Sequence, residues 1–262
     1  MVPPPPPVGQ VEAPVKHAHT LAMTEHSLSQ RRLGVLGGMG PLASAHFMTR
    51  LTLLTPATCD QEHINTVLWS DPRIPDRTKG GAGHVSPAPD LLLQGVRGLV
   101  AAGCDCLVVP CNTAHGWYSQ IVEAAGVPVL HIATAAIDQL RLVAPPGHTV
   151  GVMGTAGTLE MRLYQDRLTA AGWHVIIPDE AEMQRLVSPA IALVKGNRVA
   201  EAYPLLAEMI TLLSQRGAAA VVLGCTEIPL GVQAGPYHDL PVPLVDTIDA
   251  LALAAIAWMR AA

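Results

Sequence analysis

Two cysteines of this chain stand in matching surroundings 114 positions apart. Cys111 follows Leu107-Val108-Val109-Pro110 and precedes Asn112-Thr113. Cys225 follows Val221-Val222-Leu223-Gly224 and precedes Thr226-Glu227. In both places a short apolar, β-branched run reads as a strand buried on both faces. A turn residue then ends it, and a polar residue able to cap the next helix follows. Each thiol is thus expected at the carboxyl end of a strand, where open α/β sheets bind ligands. Taken singly, either cysteine is more simply a small buried hydrophobe; the repetition is what points to chemistry. A thiol with a pKa of about 8.5 can take or give a proton near neutrality. Two of them across one cleft suit removal of a proton from one face of a carbon and delivery to the other. The α-proton of an amino acid is far less acidic, so charge developing on the carboxylate must also be stabilised. The N–H groups after each cysteine, with Asn112, Thr113 and Thr226, are placed to do that.

The elements around the cysteines repeat as well. A strand at 33–36 enters the turn Gly37-Gly38-Met39-Gly40-Pro41, where glycine lets backbone approach a ligand. The turn is not the dinucleotide fingerprint, because Met39 and Pro41 break that pattern. A helix over 42–54, a strand over 65–69, a helix over 91–101, the Cys111 strand, a helix to about 125 and a strand over 127–130 complete a first unit. The second unit opens with a strand over 149–154. It continues with a helix over 158–170, a strand over 173–177 and a helix over 180–194. Lys195-Gly196-Asn197 ends that helix, with Gly196 in the left-handed position past it. A helix over 201–215 has Pro204 in its first turns, where proline is tolerated. The Cys225 strand and a strand over 242–245 follow. Gly37 and Gly154 are 117 positions apart, and Pro128 and Pro243 are 115. Offsets this close, in order, describe a duplication. The expected fold is α/β: two pseudo-symmetric doubly wound domains, each with about four parallel strands, and a site in the cleft between them. The division expected is residues 32–132 plus 240–262 for the Cys111 half and 133–239 for the Cys225 half. Between 70 and 89 lies a long loop of the kind that forms lids or linkers. Its Arg77 reads equally as a solvated charge or as a guanidinium clamp for a carboxylate.

Composition narrows the function classes. A net charge of −5 with 3% aromatic residues disfavours nucleic acid, which needs a basic face and stacking platforms. Half the residues are apolar, yet no uninterrupted run is long enough to span a membrane. Residues 1–31 begin with a proline block where a secretory signal would carry charge and then an apolar core, so they read as a disordered tail. Five cysteines without a signal fit a reducing cytoplasm. Cys104-Asp105-Cys106 has no second Cys/His pair at ligand spacing, so no metal is expected.

Five motifs together resemble the aspartate/glutamate racemase superfamily, which is independent of pyridoxal phosphate. They are Gly37-Gly38-Met39-Gly40-Pro41, Ile74-Pro75-Asp76-Arg77-Thr78, Pro110-Cys111-Asn112-Thr113-Ala114-His115, Val194-Lys195-Gly196-Asn197 and Gly224-Cys225-Thr226-Glu227-Ile228-Pro229. The Gly-Met-Gly turn and Glu227 are similar to the aspartate racemase branch. The resemblance implies an amino-acid racemase without cofactor, with Cys111 and Cys225 as the two acid–base residues and aspartate as substrate. Asn112, Thr113 and Thr226 would hold the α-carboxylate, Arg77 and Lys195 the side-chain carboxylate, and Met39 would contact substrate through its backbone. Gly38, His115 and Glu227 would support the site, Glu227 as a polar brace or a participant in proton transfer. A homodimer acting on a free amino acid is expected. Glutamate or broad-specificity racemisation, a cysteine-dependent isomerase or decarboxylase, hydantoin racemisation, and non-catalytic amino-acid binding stand as alternatives.

Overall fold

The computed structural model describes residues 31–75 and 89–261. In the first half β1 (Leu33–Gly37), α1 (Pro41–Leu54), β2 (Thr66–Ser70), α2 (Asp90–Ala101), β3 (Cys106–Val108), α3 (Tyr118–Ala125) and β4 (Val129–Leu130) alternate, and α4 (Ile132–Val143) follows. The second half is built from β5 (Thr149–Gly154), α5 (Ala156–Glu160), α6 (Gln165–Ala170), β6 (His174–Ile176), α7 (Glu180–Glu182), α8 (Ser188–Lys195), α9 (Val199–Gln215), β7 (Ala220–Gly224), α10 (Ile228–Gln233), β8 (Leu244–Asp246) and α11 (Thr247–Arg260). The two four-stranded sheets run β2-β1-β3-β4 and β6-β5-β7-β8, and every pairing is parallel. The strand order is the same in both, so the duplication extends to topology.

In each sheet the order reverses between its first and third strands, β1/β3 and β5/β7. Crossovers leave toward opposite faces there, opening a crevice at the carboxyl ends. Helices cover both faces of these central strands, so they are buried along their length. That burial explains why their sequences are continuously apolar rather than alternating.

The halves are joined by an exchange of helices. α4, at the end of the first half, packs on β7 and β8; α11, at the end of the second, packs on α1 and on α4. Ile132, Ala136 and Leu140 meet Ile248, Leu251, Ala255 and Met259 in one apolar core that also takes in β1 and β5. Each large side chain buried there contributes about 1.5–3 kcal/mol, while the alanines let the helix backbones approach. Arg50 of α1 holds Asp249 of α11 through two N–H donors, at 2.5 and 2.7 Å. The strand of segment 240–262 stands apart from the division expected above: β8 is hydrogen-bonded to β7 in the second sheet. Only the helix after it reaches back to the first half.

Several local expectations are corrected. The helix expected over 158–170 is broken, because Arg162 adopts a left-handed conformation with φ of 54°. The break turns Leu163 and Tyr164 into the core. The helix expected over 180–194 passes through a π turn at Met183–Val187. Pro189 has no N–H for the carbonyl four residues back, so the regular ladder cannot run through. Past α8 the left-handed residue is Asn197, with φ of 59°, not Gly196. Asn197 N–H donates to the carbonyl of Val194 and Arg198 N–H to that of Leu193, which closes the helix end. α9 starts at Val199, two residues early, so Pro204 lies inside it rather than in its opening turn.

Candidate active site

A pocket of about 260 Å³ is lined by Met39, Cys111, Asn112, Thr113, Thr155, Lys195, Cys225, Thr226 and Glu227. The turns after β1, β3, β5 and β7 all contribute, so both switch points open onto the same space. Both repeated cysteines are therefore on one pocket wall, and both are buried.

At the first-half end, Cys111 N–H donates to the Val109 carbonyl at 2.8 Å across Pro110, and a 3₁₀ turn over Thr113–Trp117 follows. Asn112 does not cap that turn. Its own backbone is helical, and its side chain bridges instead: Nδ2 donates to Thr247 Oγ1 at 3.3 Å, and Oδ1 accepts from the buried Tyr164 hydroxyl. Burial raises the proton affinity of that phenol, which stays a donor. Thr113 Oγ1 likewise turns to its neighbours, meeting Thr155 Oγ1 at 2.9 Å and Thr158 Oγ1 at 3.1 Å. The last two lie 3.0 Å apart, which closes a ring of three buried hydroxyls across the halves.

His115 sits behind Cys111. Its Nδ1 lies 2.9 Å from the Cys111 carbonyl, and its Nε2 accepts the N–H of Ile132 at 3.1 Å. A carbonyl can only accept, so Nδ1 carries the proton and the ring is neutral. Burial agrees, pushing the imidazole down to about 4. The ring packs edge-on against His131 and stacks on Tyr118. His115 is a brace between the Cys111 turn and the start of α4.

At the second-half end, Cys225 Sγ donates to Glu227 Oε2 at 3.1 Å, and Thr226 Oγ1 donates to the same oxygen at 3.3 Å. Burial and then the Glu227 charge push the thiol well above its ordinary value, while Lys195 pulls the other way. Cys225 therefore rests as a thiol. Glu227 is itself 4% exposed, and its Oε1 has no hydrogen-bond partner among the described residues. Lys195 projects from the last turn of α8 and makes no ion pair among the described residues.

The glycine turn is set by Ser44, whose Oγ accepts from Gly38 N–H at 2.9 Å and donates to the Gly40 carbonyl at 2.8 Å. Gly38 has φ of 90°, and a Cβ there would stand 2.4 Å from the backbone of Asp71. No other residue fits that approach. Arg77 lies outside the described residues. Thr155, Thr158, Tyr164 and Thr247 belong to the site without having been expected. The repeat could have indicated Thr155, which takes the place in the second half that Gly38 takes in the first. Burial raises both Cys104 and Cys106, the latter to about 12, so they pack as hydrophobes, and Cys59 is exposed. Among the described residues no group of three His, Cys, Asp or Glu could hold a metal ion.

Comparison with known proteins agrees with this geometry. The chain is 27% identical over 225 residues to the broad specificity amino-acid racemase RacX of Bacillus subtilis (strain 168), covering 84% of this chain and 94% of that protein. Its fold matches the structure of Picrophilus torridus aspartate racemase with a TM-score of 0.75 at 29% identity, over 87% of this chain and 94% of the other. Glutamate racemase from Francisella tularensis subsp. tularensis SCHU S4, solved in complex with D-glutamate, shares the fold at a TM-score of 0.65 and 18% identity, over 88% and 82% of the two chains. Residues 36–255 match the family described as Asp/Glu/Hydantoin racemase, and the chain belongs to that family.

Proposed function

We propose that this protein is an amino-acid racemase that moves the α-proton between Cys111 and Cys225, with aspartate as its substrate. The observation that carries this reading is that both thiols of the 114-residue repeat line one pocket. Substrate would sit with its α-carbon between them and its α-carboxylate against the turns after each cysteine. Backbone N–H groups there, with the Thr113 and Thr226 hydroxyls, would stabilise the charge that builds up as the proton leaves. Because Asn112 is bonded to Tyr164 and Thr247, its part is to hold the turn in shape rather than to reach toward substrate. With Cys225 resting as a thiol, one enantiomer would lose its proton to Cys111 and be reprotonated by Cys225. The opposite enantiomer would use the pair in reverse.

Lys195, the pocket's cation, supports an acidic substrate, and by family resemblance Arg77 would join it as the bidentate partner. A broad-specificity racemase is the second reading, favoured by the similarity to the Bacillus subtilis protein of that description. The reading extends to a homodimer working in the cytoplasm.

Chiral chromatography of an amino-acid panel in heavy water, without added cofactor, tests the proposal. Each enantiomer of aspartate should yield product that is deuterated from the outset, while recovered substrate stays protiated, since each thiol serves one face. Turnover of many side chains at similar rates would favour the broad reading. No interconversion of any amino acid would end the racemase reading, and early deuterium in recovered substrate matching that in product would end the two-thiol one.

A further inference from the structure

We infer that Glu227 receives the α-ammonium group of the substrate on its Oε1, which makes it the residue that selects amino acids over their amino-free analogues. The inference rests on the racemase reading and extends it to a part of the substrate that neither cysteine can recognise.

An amino acid brings two opposite charges on one carbon, and the turns after the cysteines suit only the carboxylate. The ammonium needs acceptors, and most on the pocket wall are already in use. The hydroxyls of Thr113, Thr155 and Thr158 bond to one another. Asn112 Oδ1 accepts from Tyr164, and Thr226 Oγ1 is turned toward Glu227. Glu227 is the one carboxylate among the described residues lining the pocket. It is buried, and one of its oxygens has no partner among the described residues. A carboxylate oxygen taken out of water and left without a donor is costly, and such oxygens call for a ligand.

The position suits the chemistry. Oε2 is fixed by the Cys225 thiol and the Thr226 hydroxyl, at 3.1 and 3.3 Å. Oε1 belongs to the same carboxylate, so an ammonium bound there sets the α-carbon beside the Cys225 sulfur. Across from it, Gly40 leaves space: a Cβ at that position would stand 3.2 Å from Oε1. The first half offers no equivalent, since the residue 114 positions before Glu227 is Thr113. A carboxylate on the ammonium also keeps that group protonated, and the positive charge beside the α-carbon favours loss of the α-proton.

The test is calorimetric binding of aspartate and succinate, which differ only by the amino group, to the wild-type protein and to Glu227→Gln. Glutamine preserves shape and still accepts from Cys225 and Thr226. Wild type should bind aspartate about 10- to 100-fold more tightly than succinate, the range of a charge-assisted hydrogen bond. In Glu227→Gln the gap should close, through weaker aspartate binding with succinate unchanged or tighter. Three results would overturn the assignment: no gap in wild type, a gap that survives the substitution, or equal weakening of both ligands. If wild type binds some other amino acid instead of aspartate, the aspartate reading fails. The Glu227 assignment is then judged by the same comparison between that amino acid and its amino-free analogue.

Discussion

The two cysteine turns share a backbone and differ in everything that follows the sulfur. Both end a central strand, and in both the carbonyl three residues back closes a turn: His115 N–H on Asn112, Ile228 N–H on Cys225. At equal offset, however, Thr113 is replaced by Glu227 and His115 by Pro229. The first end is therefore braced by neutral groups, an imidazole behind and a ring of hydroxyls beside. The second carries a carboxylate directly on its thiol, and its equivalent of the imidazole is a proline with no ring nitrogen free to bond. Duplication supplies two placements for sulfur; divergence gives the two sulfurs unlike proton affinities and unlike neighbours. A pseudo-symmetric site can thus receive a substrate that has no symmetry, with its ammonium on one side.

The largest effect should come from the sulfurs themselves. Cys111→Ser and Cys225→Ser are each expected to lower racemisation in both directions by about 10²- to 10⁴-fold, the range for loss of an acid–base group. Cys104→Ser should leave the rate unchanged, because that sulfur packs away from the pocket. Single-turnover assays from each pure enantiomer read the difference. Normal turnover by Cys225→Ser would make the two ends functionally unequal and sink the two-thiol mechanism.

Removal of the brace behind Cys111 should show first in stability. His115→Ala leaves the Cys111 carbonyl and the Ile132 N–H without their partner, at a cost of about 3 kcal/mol. The pH dependence carries a distinct signature. The folded value of His115, about 4, lies below the ordinary 6.5. Between those values the unfolded chain binds a proton that the native protein does not. Stability should therefore be full above about pH 6.5 and fall as pH drops toward 4, by roughly 3 kcal/mol from this residue. His131, pushed down to about 3 chiefly by burial, adds in the same direction. Urea denaturation at pH 7 and pH 5 should show a smaller acid loss in His115→Ala than in wild type. An equal loss would mean that the imidazole is not the buried neutral group described.

What the sequence made legible was whatever is local or repeated. Strand order, the glycine turn and both cysteines follow from apolar runs and matched offsets, and Lys195, Thr226 and Glu227 lie where motif resemblance assigns them. What it hid is long-range partnership. Tyr164 reaches Asn112 across 52 positions, and Thr247 does so across 135. The left-handed Arg162 that turns Tyr164 inward occupies a stretch without glycine or proline, so helical periodicity ran straight through it. Asn112 looked like a cap because its type suits one; the buried phenol and hydroxyl offered it better partners. Gly196 looked like the residue past α8 because glycine prefers that role, yet the chain places it one residue later, at Asn197.

The smallest expected effect concerns the seam between the ends. Thr158 touches Thr113 and Thr155 but does not line the pocket, so Thr158→Val removes a hydroxyl without altering the pocket wall. Valine has nearly the same volume, which limits the change to hydrogen bonding. Thr113 and Thr155 remain bonded to each other at 2.9 Å, each one partner short. The stability loss should be about 1 kcal/mol, as for a single buried hydrogen bond whose partners keep another. If Thr113 contacts substrate with its hydroxyl, its loosened orientation should raise KM several-fold while kcat stays near wild type. The equivalent position in the first half is Pro41, which has no hydroxyl, so the Cys225 end cannot compensate. An unchanged KM with the stability loss present would show that the ring ties the halves together without orienting Thr113 for substrate. That outcome would move carboxylate binding to the backbone N–H groups alone.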